Sequence, residues 1–139
     1  GGQWNSAPRF QSGADGLLST ALDLHKFAKM LLQKGMYGQK RILQEQSVLA
    51  RTRPQLSPEQ ALSTAGFLEA QQSWGFGLAV QGSRYGWDGG LGCSWANDSA
   101  SQTIAIFISQ NLWSEADSLE PVQDFWHTIQ EWSGKGQTR

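Results

Sequence analysis

The sequence contains a single cysteine, Cys93, only two histidines, and no apolar run long enough to span a membrane. One cysteine excludes an internal disulfide and a cysteine zinc cluster. His25 and His127 lie too far apart in the chain to suggest a metal site, so neither metal nor cofactor is expected. Positive charge is not in excess: 11 Lys and Arg against 12 Asp and Glu leave a formal net charge of −1. That balance lacks the electrostatic footprint of nucleic-acid or anionic-membrane binding, and neither partner is expected. The opening residues, G-G-Q-W-N-S-A-P-R-F, have neither the basic start nor the apolar stretch of a signal peptide, so the expectation is a soluble chain without an export signal.

What the sequence does hold is size, glycine and aromatic surface. With 139 residues it is one domain long (1–139) and large enough for a core without covalent support. Seven tryptophans and six phenylalanines point to large aromatic areas in cores or interfaces. Charge is uneven along the chain: eight basic and four acidic residues up to Gln60, three basic and eight acidic from Ala61 onward. The two halves can therefore attract each other, within or between chains.

Helical signals come first. Gly13 to Gly16 reads as a tight turn, and Thr20 with Asp23 resembles a capping box. Leu24, Phe27, Ala28, Leu31 and Leu32 then recur at helical spacing, predicting an amphipathic helix over Ala21 to Lys34 that stops at Gly35. A shorter helix is expected over Glu45 to Arg51, before Pro54, and another from Ser57-Pro58-Glu59-Gln60, which has an N-cap serine and a capping-box glutamine. From Trp74 the pattern changes. Trp74 to Val80, Leu91 to Ala96 (turning back at Asn97-Asp98-Ser99) and Thr103 to Gln110 predict an antiparallel meander of about three strands. Ile104, Ile106 and Ile108 alternate with Ala105 and Phe107, so the last strand is apolar on both faces and is expected to be central. Val122, Phe125, Trp126, Ile129 and Trp132 mark a final helix from about Pro121 to Gly134. The fold class is α+β.

The densest stretch is Tyr85 to Asp98, Y-G-W-D-G-G-L-G-C-S-W-A-N-D, with four glycines, two tryptophans and the cysteine in fourteen positions. The glycines at 86, 89, 90 and 92 make either a turn with a close strand crossing or the wall of a site. Gly92-Cys93-Ser94-Trp95-Ala96 approaches G-x-S-x-G, with His127 as a conceivable base. A nucleophile elbow, however, needs a helix after the serine, and a strand follows here.

Three stretches in order resemble serine β-lactamase-related proteins, the superfamily of class C β-lactamases, DD-peptidases and related esterases. Ser12 to Leu32 resembles that family's glycine-rich turn and following helix, and Gly38 to Val48 (G-Q-K-R-I-L-Q-E-Q-S-V) its next segment. Trp87-Asp88-Gly89 with Gly92 falls at the third active-site motif, loosely Lys/His-x-Gly and a later glycine. The resemblance implies a partial β-lactamase or transpeptidase-like fold in which the motif strand forms one wall of a substrate site. It implies that Trp87, Asp88, Gly89 and Gly90 lie along substrate, with the Gly90 N–H as an oxyanion donor. Tryptophan at the Lys/His position removes a cation that holds the carboxylate of penicillin-like substrates, so the resemblance leans toward esterase-like or peptidase-like members.

Two family motifs are absent. No lysine in this chain has a serine three residues before it, so Ser-x-x-Lys is missing, and neither tyrosine begins Tyr-x-Asn. The expectation is the C-terminal portion of such a protein, with no catalytic residue of its own, serving as a binding or assembly module for a small-molecule ligand. The alternative is an esterase or peptidase that becomes active when an N-terminal half or a partner chain supplies Ser-x-x-Lys. In the family, N-terminal strands complete the sheet, so a homo-oligomer through an exposed sheet edge, or a separate N-terminal half, is the expected partner.

Overall fold

The computed structural model describes residues 5–13, 17–64, 66–68, 71–113 and 119–135, the side chains of 133–135 excepted. In chain order the elements are α1 (Ala21–Leu32), β1 (Met36–Tyr37), β2 (Lys40–Arg41), α2 (Glu45–Arg51), α3 (Pro58–Leu62), β3 (Ser73–Trp74), β4 (Ala79–Gln81), β5 (Arg84–Gly89), β6 (Cys93–Asp98), β7 (Thr103–Ile108) and α4 (Glu120–Lys135). Strands β3 to β7 form one antiparallel meander, each pairing with its sequence neighbour, and β1 and β2 form a separate two-stranded ribbon. Among the described residues no helix is long and apolar enough to cross a membrane.

The helix starts follow their local chemistry. At α1 the Thr20 Oγ1 accepts the Asp23 N–H at 3.2 Å, and the Asp23 carboxylate takes the Thr20 hydroxyl and Lys26 Nζ. These two side-chain hydrogen bonds, the one from Lys26 being the larger influence, hold the exposed Asp23 carboxyl below its ordinary range. Thr20→Ala is expected to cost about 1 kcal/mol, read as a lower urea midpoint with an unchanged slope. The helix ends at Leu32, two residues short of the Lys34 expected from periodicity, because Lys34 already adopts φ 52° and Gly35 φ 89°. The Gly35 N–H closes the end on the Met30 carbonyl at 2.8 Å. At α3 the capping box is complete: Ser57 Oγ accepts from the Gln60 N–H and Gln60 Oε1 accepts from the Ser57 N–H. The expected turn at Gly13 to Gly16 falls largely on residues 14–16, outside the described residues.

The sheet differs from the expected count of about three strands. Trp74 to Val80, which reads as one strand, is folded back on itself as β3 and β4, with Gly77 at φ 74° and the Gly75 N–H bonded to the Leu78 carbonyl at 2.8 Å. Arg84–Gly89, whose glycines alone leave a turn or a site wall open and which the family resemblance places on a strand, is a full strand paired with β6 over all six residues. The β6–β7 turn sits later than Asn97–Ser99, at Ser99 to Gln102, where Asp98 Oδ1 accepts from the N–H groups of Ala100 and Ser101. Among the described residues strand β7 is at the edge, not the centre. Its two apolar faces have a different cause: α1 packs on one face and α4 on the other, where Phe107 meets Phe125 at 5.5 Å between ring centres.

The core lies between α1, α2 and the sheet: Met30, Leu31, Val48, Leu78, Val80 and Tyr85 are buried together, with Leu43 and Trp95 packed at their margin. Asn97, fully buried, joins the layers by donating Nδ2–H to the Ala28 carbonyl (2.7 Å) and to the Tyr85 hydroxyl (3.1 Å).

Candidate functional site

The β5–β6 register determines where each motif side chain goes. Tyr85 faces Asn97, Trp87 faces Trp95 and Gly89 faces Cys93, while Arg84, Gly86 and Asp88 face Asp98, Ala96 and Ser94. Directly opposed residues share a face, and successive residues alternate. The first set is the α1 side, since Asn97 reaches Ala28; the second is the α4 side, since Trp126 Nε1–H donates to Ser94 Oγ at 2.9 Å. Trp87 and Asp88 therefore point to opposite sides of the sheet.

On the α1 side Trp87 joins an aromatic cluster. Its ring meets Trp74 edge-on at 4.6 Å and Phe67 at 5.4 Å, and Trp95, opposite Trp87, meets Phe27 at 6.0 Å. Phe67 is two-thirds exposed, so the cluster opens to solvent. On the α4 side the Asp88 carboxylate accepts the Ser94 hydroxyl, which in turn accepts the Trp126 indole N–H. The Arg84 guanidinium lies 3.8 Å above the same indole ring. Two cavities of about 180 and 190 Å³ flank this Arg84–Trp126 pair; His127 and Gln81 border the first, Thr103 and Ile129 the second.

Between the two faces lies an open backbone edge. Strand β4 pairs with β5 only as far as Ala79 opposite Gly86, so among the described residues Trp87, Asp88 and Gly89 pair with β6 alone. The turn that follows is held from three sides: the Gly92 N–H donates to the Gly89 carbonyl (3.0 Å), the Trp113 N–H to the Gly90 carbonyl (3.1 Å), and Ser109 Oγ to the Gly92 carbonyl (2.9 Å). A trans peptide directs its N–H opposite to its C=O. Pinning the Gly89 carbonyl inward thus turns the Gly90 N–H outward, where it makes no hydrogen bond among the described residues. Gly90 is exposed, and a Cβ there would meet nothing within 4 Å. Gly92 is different: at φ 93°, a Cβ would lie 2.3 Å from the Asn111 carbonyl oxygen.

The sequence expectations are placed as follows. Trp87, Gly89 and Gly90 lie along one continuous edge. Asp88 belongs to the same strand, but its carboxylate is engaged by Ser94 on the opposite side. Ser94 is 1% exposed, donates to Asp88 and is followed by strand, and no hydrogen bond joins it to the exposed His127 among the described residues. The Ser94–His127 pair is not assembled as a nucleophile and base. Sequence reasoning missed the Phe67–Trp74 contribution and the Asp88–Ser94–Trp126 chain. Their only signal is a parity, Asp88 and Ser94 on the same face, that needs the register to be known.

Tyr85, at the start of the stretch, has a phenol held above its ordinary range, mainly by burial, with the Asn97 hydrogen bond opposing that shift. A phenol raised in the folded state contributes stability that is fully present below about pH 10, the unfolded value, and lost as pH rises through the folded one. Alkaline absorbance titration is expected to show one phenolate appearing late, together with a falling urea midpoint above about pH 10. Tyr85→Phe is expected to remove the late phase.

The family model described as Beta-lactamase matches residues 1–123 of the chain. Among curated proteins, none matches it.

Proposed function

Because the chain belongs to the Beta-lactamase family, a serine-hydrolase lineage, we propose that these 139 residues form the substrate-side wall of such a site and bind an acyl or peptide ligand without hydrolysing it. The observation that carries this reading is the open β5 edge at Trp87–Gly89 next to an outward, unengaged Gly90 N–H. An extended ligand can add to such an edge by main-chain hydrogen bonds, its carbonyl taking the Gly90 N–H, while the Trp87–Trp74–Phe67 cluster receives an apolar side group. Trp87 offers no cation for a ligand carboxylate, which supports ester-like or peptide-like ligands over penicillin-like ones. Hydrolysis needs a nucleophile and base; Ser-x-x-Lys does not occur in this sequence, and Ser94 is occupied and buried.

Incubation of the purified chain with a chromogenic ester, a cephalosporin and an active-site serine probe is expected to give neither turnover nor covalent label. A short uncharged peptide is expected to move the Gly89 and Gly90 amide resonances. Labelling of this chain by the probe overturns the non-catalytic reading, and undisturbed amides overturn the wall. The second reading is a split esterase or peptidase in which a separate polypeptide supplies Ser-x-x-Lys. It is favoured by the unengaged Gly90 N–H, half of an oxyanion hole whose other donor comes from the nucleophile. Ester turnover that appears only on adding a polypeptide bearing that motif distinguishes it.

A further inference from the structure

We infer that Asp88, anchored through Ser94 to Trp126 on the α4 side, is a positioning residue for ligand at the Trp87–Gly90 edge. Its side chain holds the peptides that meet the ligand and does not touch the ligand itself. The inference deepens the wall reading above and rests on it.

The first ground is the direction of the backbone along β5. In an antiparallel ladder both main-chain groups of a residue point to one neighbouring strand, and successive residues alternate between the two. The Ser83 carbonyl accepts the Ser99 N–H at 3.0 Å and the Gly89 carbonyl accepts the Gly92 N–H at 3.0 Å, so the odd-numbered residues from 83 to 89 point toward β6. The N–H and C=O of Asp88 therefore point the other way, to the side that β4 leaves open beyond Ala79 among the described residues. Together with the outward Gly90 N–H they form the row of main-chain groups that an added strand would meet.

The second ground is how this row is held. Gly89 and Gly90 have no side chain, and a Cβ at Gly90 would meet nothing within 4 Å. Ordering glycine costs more conformational freedom than ordering any other residue. Asp88 is the last side chain by which the end of the strand can be gripped. Ser94, opposite it in register and 1% exposed, donates its hydroxyl to the Asp88 carboxylate and accepts the Trp126 indole N–H at 2.9 Å. The indole is held in turn by the Arg84 guanidinium of the same strand, 3.8 Å from the ring centre. On the opposite face the Trp87 ring lies edge-on to Trp74 at 4.6 Å. The strand end is thus gripped from both sides of the sheet, and the α4-side grip runs through one exposed carboxylate. That carboxylate stands out of the plane in which a ligand backbone would pair, which makes its role positioning and not contact.

Magnetic resonance of the full chain, with acetyl-alanyl-phenylalanyl-alanine amide as the probe, reads both ends of this chain of bonds. The probe is expected to shift the Gly90 amide and the Trp126 indole N–H along one binding curve. Asp88→Ala is expected to weaken probe binding about tenfold and to leave the indole N–H unresponsive. Asp88→Asn, whose amide oxygen still accepts the Ser94 hydroxyl, is expected to stay within about twofold of the parent. Asp88 is exposed, so neither variant disturbs the core. A reading without ligand comes from the Gly92 N–H, which donates to the Gly89 carbonyl: in Asp88→Ala its hydrogen exchange is expected to be about tenfold faster than in the parent. Equal probe affinities in the parent and Asp88→Ala chains overturn the inference. So does an indole N–H that the probe leaves unmoved in the parent, equal weakening by Asp88→Ala and Asp88→Asn, or unchanged Gly92 exchange in Asp88→Ala. In the first three of these outcomes the Gly90 amide still answers the probe, so the wall stands. A Gly90 amide silent in every chain is failure of the wall, and the positioning role falls with it.

Discussion

Gly86→Ala is expected to cost about 3 kcal/mol of stability or more, whereas Gly90→Ala, four positions along the same motif, is expected to change stability by no more than about 0.5 kcal/mol. The difference lies in what the added methyl would meet. At Gly86 it would stand 2.0 Å from the Trp95 carbonyl oxygen and 2.7 Å from the Ala96 Cα, both main-chain atoms of the paired strand. No side chain can rotate away to relieve them, so β5 and β6 would have to separate in the middle of their six-residue ladder. Overpacking a well-packed interior costs about 1 to 3 kcal/mol even where side chains can yield. Here the ladder itself yields, and the loss is expected at the top of that range or above it, against a total stability of about 5 to 15 kcal/mol. At Gly90 nothing lies within 4 Å. Far-ultraviolet circular dichroism through a urea titration checks both. A Gly86→Ala chain unfolding at the parent midpoint would show that the strand pair is looser than this packing requires.

That contrast also marks how far the sequence could be read. Helices declared themselves through groups close in the chain: Ser57 with Gln60, Thr20 with Asp23, and the run of Glu45 to Arg51 ending before Pro54. Strand β5 did not, because three of its six residues are Gly or Asp, poor strand formers, and Gly86 is there to admit a partner that the sequence does not name. The same limit applies to β7. Apolar residues on both faces are the pattern of a central strand, and they arise here at an edge because a helix covers each face. Within the candidate site, Trp87, Gly89 and Gly90 were legible from motif spacing. The orientation of Asp88 depended on its pairing with Ser94, and the exit of the Gly90 N–H depended on a bond between Gly92 and Gly89. Spacing locates residues along a strand, whereas cross-strand register decides which way they face.

Asn97→Asp tests the link between that strand and the helix layer and is expected to cost about 3 kcal/mol or more at neutral pH. Asn97 is fully buried, and its amide nitrogen supplies both bonds, to the Ala28 carbonyl of α1 and to the Tyr85 hydroxyl. A carboxylate has no proton for the Ala28 carbonyl, so two acceptors would face each other away from water. Burial beside an acceptor raises a carboxyl above its unfolded value near 3.9. Between the unfolded and the raised folded value the native state holds a proton that the unfolded state has released, so stability falls as pH rises, by about 1.4 kcal/mol per unit. The variant is therefore expected to approach parental stability below about pH 4, where a protonated carboxyl can again donate to Ala28, and to weaken toward neutrality. Asn97→Leu also removes the donor but has no such titration. Urea midpoints of both variants between acidic and neutral pH check the sign: a pH-dependent deficit confined to Asn97→Asp is expected, and equal deficits at every pH would mean that the Ala28 contact opens to water in the folded chain.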